Sequence, residues 1–157
     1  MKEITDENLI SILQKQFPGF IPYCEASIEY FGIDQGLTVR IIPFSDYVLD
    51  VMKRNQELLL RQIFDFVELS ICDGDESVQN AMTTSFLEYL LSKDPHEIKF
   101  ASIVKYLGKE SMGYCKAWDR FCGIRTKGLW DDESLKSKFL WWFKKTSAKF
   151  GRKPPLF

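Results

Sequence analysis

The sequence predicts an all-α fold, one irregular bundle of six to eight helices with at most one short extended segment near residues 37–42. Three observations predict it. Apolar residues recur at three- and four-residue intervals along most of the chain. Gly, Pro and Asp punctuate these runs at helix-length intervals. The chain has 157 residues, 45% hydrophobic and 15% aromatic, and a chain of that size buries ~70% of the surface its unfolded form exposes. Residues 1–157 are therefore read as a single helical domain, with 146–157 as a mobile basic tail.

The first helix is expected after Thr5-Asp6-Glu7-Asn8. Thr5 is its N-cap, acids fill its first turn, and Leu9, Ile12, Leu13 and Phe17 form its apolar face. Pro18-Gly19 ends it. A second helix starts near Pro22, where a missing N–H costs nothing, with Ile21, Cys24, Ile28 and Phe31 on one side. Gly32, Gly36 and Pro43 interrupt the pattern. Between them Leu37-Thr38-Val39-Arg40-Ile41-Ile42 is short and β-branched, the mark of an extended segment or loop.

From Ser45, a potential cap, the helical period returns and runs to Cys72 as one helix or as two broken near Arg54-Asn55. Leu60, Ile63, Phe64, Val67 and Ile71 form its stripe. Leu59, Phe66 and Leu69 widen that stripe, so this helix is central. Asp73-Gly74-Asp75 is a tight stop, and Asp75 caps the next helix, whose inward face is Val78, Ala81, Met82, Ser85, Phe86, Tyr89 and Leu90. The short connection makes the two antiparallel. A helix over 96–107 turns Phe100, Ile103, Val104 and Leu107 inward. Another over 109–122 buries Cys115, Trp118, Phe121 and Cys122 and stops at Gly123. A loop covers 124–130. The last helix starts at Asp131-Asp132-Glu133 and carries Leu135, Phe139, Trp142 and Phe143 on one face.

The net charge of −1 hides a split. Residues 1–133 hold 14 Lys+Arg and 22 Asp+Glu, a balance of −8, whereas 134–157 hold seven Lys+Arg and no acid. Lys136, Lys138, Lys144 and Lys145 interleave with Trp130, Trp141 and Trp142. Nucleic-acid-binding surfaces have this composition, and so does an amphipathic helix folded onto an acidic body; the second reading is preferred. The four cysteines, with no leader-like N-terminus and a core that needs no staples, read as reduced thiols of a cytoplasmic protein.

No catalytic constellation emerges, and no metal or cofactor is expected. There is no glycine-rich phosphate loop and no nucleophile elbow. His96 is the sole histidine and follows Asp94-Pro95 at a helix start. Asp73-Gly74-Asp75-Glu76 has the opening of a calcium loop without its later ligands, and helix stop and cap account for these acids. The chain is thus read as a non-enzyme.

Leu58–Leu91 resembles a HEAT-like helical hairpin, through its Gly74-Asp75-x-x-Val78 turn, Ala81 and the leucine-rich Phe86-Leu87-Glu88-Tyr89-Leu90-Leu91. No second copy follows at a fixed period, so no regular array is expected. The stretch from Phe64 to Leu129 also resembles a bacterial family of immunity proteins encoded beside polymorphic toxins, including contact-dependent growth inhibition systems. The residues carrying this are the same turn, Phe86-Leu87-Glu88, Leu107-Gly108-Lys109-Glu110-Ser111 and Cys115-Lys116-Ala117-Trp118-Asp119. The resemblance implies a protein that binds and neutralises the C-terminal, nuclease-like domain of a cognate toxin. An acidic body suits a basic nuclease, with the −8 placed on the part that carries the resemblance. Asp73, Asp75 and Glu76 at the hairpin end are the expected partner contacts, followed by Asp119, Asp131, Asp132 and Glu133. The alternative is a helical scaffold or adaptor that binds another protein or a nucleic acid through its basic C-terminal segment.

Overall fold

The chain enters the fold as a strap. The computed structural model describes residues 3–93 and 99–131. Ile4 forms an isolated parallel bridge with Gly74, and the Asp75 N–H donates to the Ile4 carbonyl at 3.0 Å. The strap then turns at Thr5–Asn8, where the Asn8 side chain accepts from the Thr5 N–H. Helix α1, Leu9–Gln16, therefore starts later than a Thr5 cap would place it. A 3-10 turn, Pro18–Phe20, leads directly into α2, Ile21–Phe31, with proline in its first turn.

Residues 37–42 are helical, contrary to the extended segment expected. Helix α3 spans Leu37–Arg40 and α4 spans Ile42–Lys53. Leu37, Ile41, Phe44 and Val48, at i, i+4, i+7 and i+11, are all buried, so one helical stripe crosses the junction. Pro43 does not break it, because it sits in the first turn of α4. Among the described residues no β-strand forms, so the β-branched run has no sheet to join. Ser45 is an interior residue of α4 rather than a cap; its buried hydroxyl has no hydrogen-bond partner among the described residues.

The break at Arg54-Asn55 is real. Asn55 takes the left-handed conformation, φ 53°, and α5 follows at Glu57–Asp73. Helix α5 packs against α4, α6 and α8 and is the central element. Its end is set by Gly74, where an added Cβ would lie 2.4 Å from the Ser70 carbonyl oxygen and 2.5 Å from Val78 Cγ1. The chain then runs back along α5 as one rod: α6, Glu76–Asn80, a π-helical stretch, Ala81–Leu87, and α7, Glu88–Leu91. The hydroxyls of Thr83 and Thr84 donate to the carbonyls of Gln79 and Asn80, each at 2.8 Å, at the start of the widened turns. The wider turn moves the inward face along by about one residue. Leu87 is therefore buried beside Phe86, while Ser85 and Tyr89 are half-buried.

Residues 100–106 make two 3-10 turns, Phe100–Ser102 and Val104–Tyr106, in place of the α-helix expected over 96–107. The three-residue period lines up Phe100, Ile103 and Tyr106, all buried. Helix α8, Lys109–Cys122, ends at Gly123 in the left-handed region, φ 67°. The Ile124 N–H reaches back to the Asp119 carbonyl, a Schellman-type close. Its buried face is Ser111, Cys115 and Asp119, whereas Phe121 and Cys122, expected inside, are exposed.

One aromatic spine runs through the core. Phe20 meets Phe44 edge-on at 5.2 Å, Phe44 meets Phe86 at 5.5 Å, and Phe86 meets Phe64 at 6.1 Å. Phe64 in turn stacks on Tyr106 at 6.2 Å. Each fully buried ring contributes roughly 1.5–3 kcal/mol, so this chain of contacts joins the Pro18–Phe20 turn, α4, the π stretch, α5 and the Val104–Tyr106 turn into one core. Among the described residues, no helix is long and apolar enough to cross a membrane. His96, the helix expected from Asp131 onward and the tail at 146–157 lie outside the described residues, apart from Asp131 itself.

Candidate functional site

The acids of this fold divide by what their carboxylates touch. Among the described residues, seven link one part of the fold to another or cap a helix. Three accept from tyrosine hydroxyls and pin helices together: Asp50 holds Tyr23 of α2, Asp46 holds Tyr89 of α7 at 2.6 Å, and Glu88 holds Tyr114 of α8. Burial, together with the Glu88 carboxylate, pushes the Tyr114 phenol well above its ordinary pKa. Glu57 pairs with Lys105 at 2.7 Å.

Glu68 caps a helix from outside it. Its carboxylate accepts from the Glu110 N–H at 2.6 Å, the Ser111 N–H at 3.0 Å and the Ser111 hydroxyl at 2.7 Å, at the N-terminus of α8. Burial opposes ionisation of Glu68. The Ser111 hydroxyl and the Glu110, Ser111 and Lys109 amides outweigh it and hold the carboxyl below its usual range. Gly108 makes room: an added Cβ there would sit 2.2 Å from Glu68 Cδ.

Asp119 is fully buried. It accepts from the Thr126 N–H at 2.7 Å, the Thr126 hydroxyl at 2.7 Å and Trp130 Nε1 at 2.8 Å, and so clamps the 124–130 loop onto α8. Trp130 is buried beneath three cations, Lys116, Arg120 and Arg125, whose charged groups lie 4.9–5.3 Å from its ring. Burial first, and the nearby Asp119 charge second, push the Cys115 thiol up to about 12. This thiol is a core residue and no nucleophile at neutral pH.

Asp75 works at the hairpin turn. One oxygen caps α6 by accepting from the Val78 N–H at 2.9 Å; the other accepts from the Asp6 N–H at 3.0 Å. That second bond brings the acids of the N-terminal strap beside those of the turn. Glu3, Asp6 and Glu7 thereby join Asp73 and Glu76, although about 70 residues separate them in sequence. Among the described residues no ion pair involves these five acids.

Glu7 also borders a groove of about 220 Å³ between α1, α2 and the α3–α4 junction. Glu25, Glu29 and Asp34 are exposed on α2 and on the loop that follows it. The whole −8 belongs to this half of the chain: residues 1–76 hold 6 Lys+Arg and 14 Asp+Glu, and residues 77–133 hold eight of each. This corrects the expectation that the acidic charge sits on the 64–129 stretch.

The expected contacts therefore fare differently. Asp73 and Glu76 are exposed at the acidic end, and Asp75 is there with both oxygens committed to backbone amides. Asp119 is removed from the candidates, because burial and three hydrogen bonds close it to a partner. Asp131 is exposed after the 124–130 loop, away from this end; Asp132 and Glu133 lie outside the described residues. Sequence reasoning missed Glu3, Asp6 and Glu7, which only the Ile4–Gly74 bridge places. It also missed the groove, although α2 carries apolar residues on more sides than one core contact can use.

A family profile described as a domain of unknown function, DUF7674, matches residues 10–123. The chain belongs to the DUF7674 family. No curated protein and no solved structure matches it. The DUF7674 match runs from α1 to the glycine that closes α8, and so takes in Glu68, Gly74, Asp75, Gly108, Ser111 and Asp119. Each of these has a folding role given above.

Proposed function

We propose that this DUF7674 protein is an immunity protein that binds and neutralises the basic, nuclease-like C-terminal domain of a cognate toxin. One observation carries the reading. Once the acids with internal partners are set aside, most of the exposed ones among the described residues fall on the strap, α2 with the loop after it, and the α5–α6 turn. A surface of this kind meets the same field requirement as a nucleic acid, and so competes for the face with which a nuclease binds its substrate. It also accelerates association, which matters for an inhibitor that must arrive before damage is done. The test is co-expression with the C-terminal domain of the toxin-like reading frame encoded upstream. Restored growth and co-purification support the proposal, with association that slows steeply as salt rises. Failure of both defeats it.

A second reading is an adaptor; the basic C-terminal segment first assigned to it lies outside the described residues, but another basic surface is described. Lys93, Lys99, Arg125 and Lys127 line a cavity of about 610 Å³ whose floor includes Leu91, Phe100 and Ile124. Retention on immobilised RNA that weakens with salt, in the full chain, favours this reading over the first.

A further inference from the structure

We propose that the groove between α1, α2 and the α3–α4 junction seats an amphipathic basic helix of the partner protein. Three observations meet there. The first is exposed apolar surface. Ile28 is 42% exposed, Tyr30 82%, Phe31 56% and Ile33 72%, and these four are nearly consecutive at the end of α2. The Tyr30 and Phe31 rings pack edge to face on one another at 4.6 Å, leaving much of both to solvent. Monomers rarely display such a patch without a use for it.

The second observation is shape. The groove beside this patch has walls of Ile10, Cys24, Ile28, Ile33, Val39 and Pro43. At about 220 Å³ it takes a few aliphatic side chains rather than a helix backbone. That is how a helix lying across a groove is read, through anchors at i, i+3 or i+4.

Charge is the third. Residues 3–35 contain six acids and one base, Lys15. Glu7 is in the groove wall, with Arg40 as the cation among the lining residues. Glu7 and Arg40 balance one another in the lining, but Glu25, Glu29 and Asp34 are exposed on α2 and the loop after it, so the surroundings favour an occupant apolar on one face and cationic around it. A nucleic acid or an anionic lipid surface meets the wrong charge here, and a neutral apolar ligand makes no use of the acids. The proposal names the partner element for the acidic face described above, and rests on the immunity reading only for the partner's identity.

The test titrates the full chain with a synthetic helical peptide of leucine and lysine that has one apolar face. A peptide of the same composition, scrambled to destroy that face, is the control. Binding by the first at micromolar concentration, with the second at least about tenfold weaker, is expected. Ile33→Asp combined with Ile28→Asp should weaken binding by about tenfold or more. Glu25→Gln, Glu29→Gln and Asp34→Asn together should weaken it and flatten its salt dependence. Circular dichroism checks that each variant keeps its helix content.

Equal binding of both peptides, or indifference to the isoleucine changes in folded variants, overturns the groove. A dimer of the wild type that dissociates on Ile33→Asp names a second copy as the occupant, and peptide binding that appears only once residues 134–157 are removed names the chain's own basic segment; either overturns it. Peptide binding without growth rescue by co-expression leaves the groove standing and removes the immunity reading. Full rescue by the Ile28→Asp, Ile33→Asp variant does the reverse.

Discussion

Glu68 and Glu7 show how two regions of this molecule use the same side chain. Glu68 is half-buried, accepts from two amides and a hydroxyl, and starts another helix. Glu7 is exposed at the mouth of a groove with no ion pair among the described residues. The difference extends to their regions. On the α5–α8 side, Glu68, Glu88 and Asp119 each hold two elements together. In the strap, α2 and the loop after it, six acids make no side-chain hydrogen bond among the described residues. Charge that stabilises and charge that is merely tolerated can thus be told apart by their partners. A surface that keeps tolerated like charges close together, against their mutual repulsion, is where a partner is to be sought.

The sharpest break of this comparison is Asp119→Ala. It leaves the Thr126 amide and Trp130 Nε1 without acceptors in a buried place, and it releases the loop that holds Trp130. A loss of about 3 kcal/mol is expected in urea unfolding, with a change in tryptophan fluorescence. Loss under about 1 kcal/mol would show that the clamp is dispensable.

Gly108→Ala comes next. Its Cβ would displace the Glu68 carboxylate, so the cost combines lost capping with strain, about 2 kcal/mol in the same measurement.

Glu68→Gln keeps the shape and removes the charge, and about 1 kcal/mol is expected at neutral pH. Its pH dependence is diagnostic. The folded-state carboxyl titrates below its ordinary value of 4.5. Its contribution is therefore complete above that value and disappears as pH falls through the lower, folded one. The stability gap between wild type and variant should accordingly close in acid. A gap that persists unchanged far into acid would mean that shape rather than charge sets the cap.

How much of this was legible beforehand follows from the range of each interaction. The α5 stripe, the Asp75 cap and the Gly123 stop are local, and their residues lie within a few positions of one another. The Arg54-Asn55 break was foreseen as one of two options. Residues 37–42 are β-branched, which favours an extended segment, whereas the spacing of Leu37, Ile41, Phe44 and Val48 keeps helical register, and the spacing prevails. In helix α8 partnership outweighs hydrophobicity. Its buried stripe is Ser111, Cys115 and Asp119, and two of those three are inside because Glu68, Thr126 and Trp130 satisfy them. The 3-10 turns at 100–106 share their i, i+3 spacing with an α-helix, which a single short run cannot separate. The acidic end was only half legible, since Asp73 and Glu76 are adjacent in sequence while Glu3 and Glu7 arrive by a bridge from the far terminus.

The smallest expected effect tests the comparison from its other side. Glu7→Gln, Glu25→Gln, Glu29→Gln and Asp34→Asn, made together, remove four charges with no hydrogen bond or ion pair among the described residues. Stability at neutral pH should stay within about 0.5 kcal/mol of wild type, or rise slightly as repulsion is relieved. The sign is informative. A rise at low salt that vanishes at high salt identifies these carboxylates as mutually repelling neighbours, because only an unshielded field responds to salt in that way. A clear loss would mean that the α1–α2 acids have structural partners after all. The division between working and spare charge would then fail at the point where the proposed partner site depends on it.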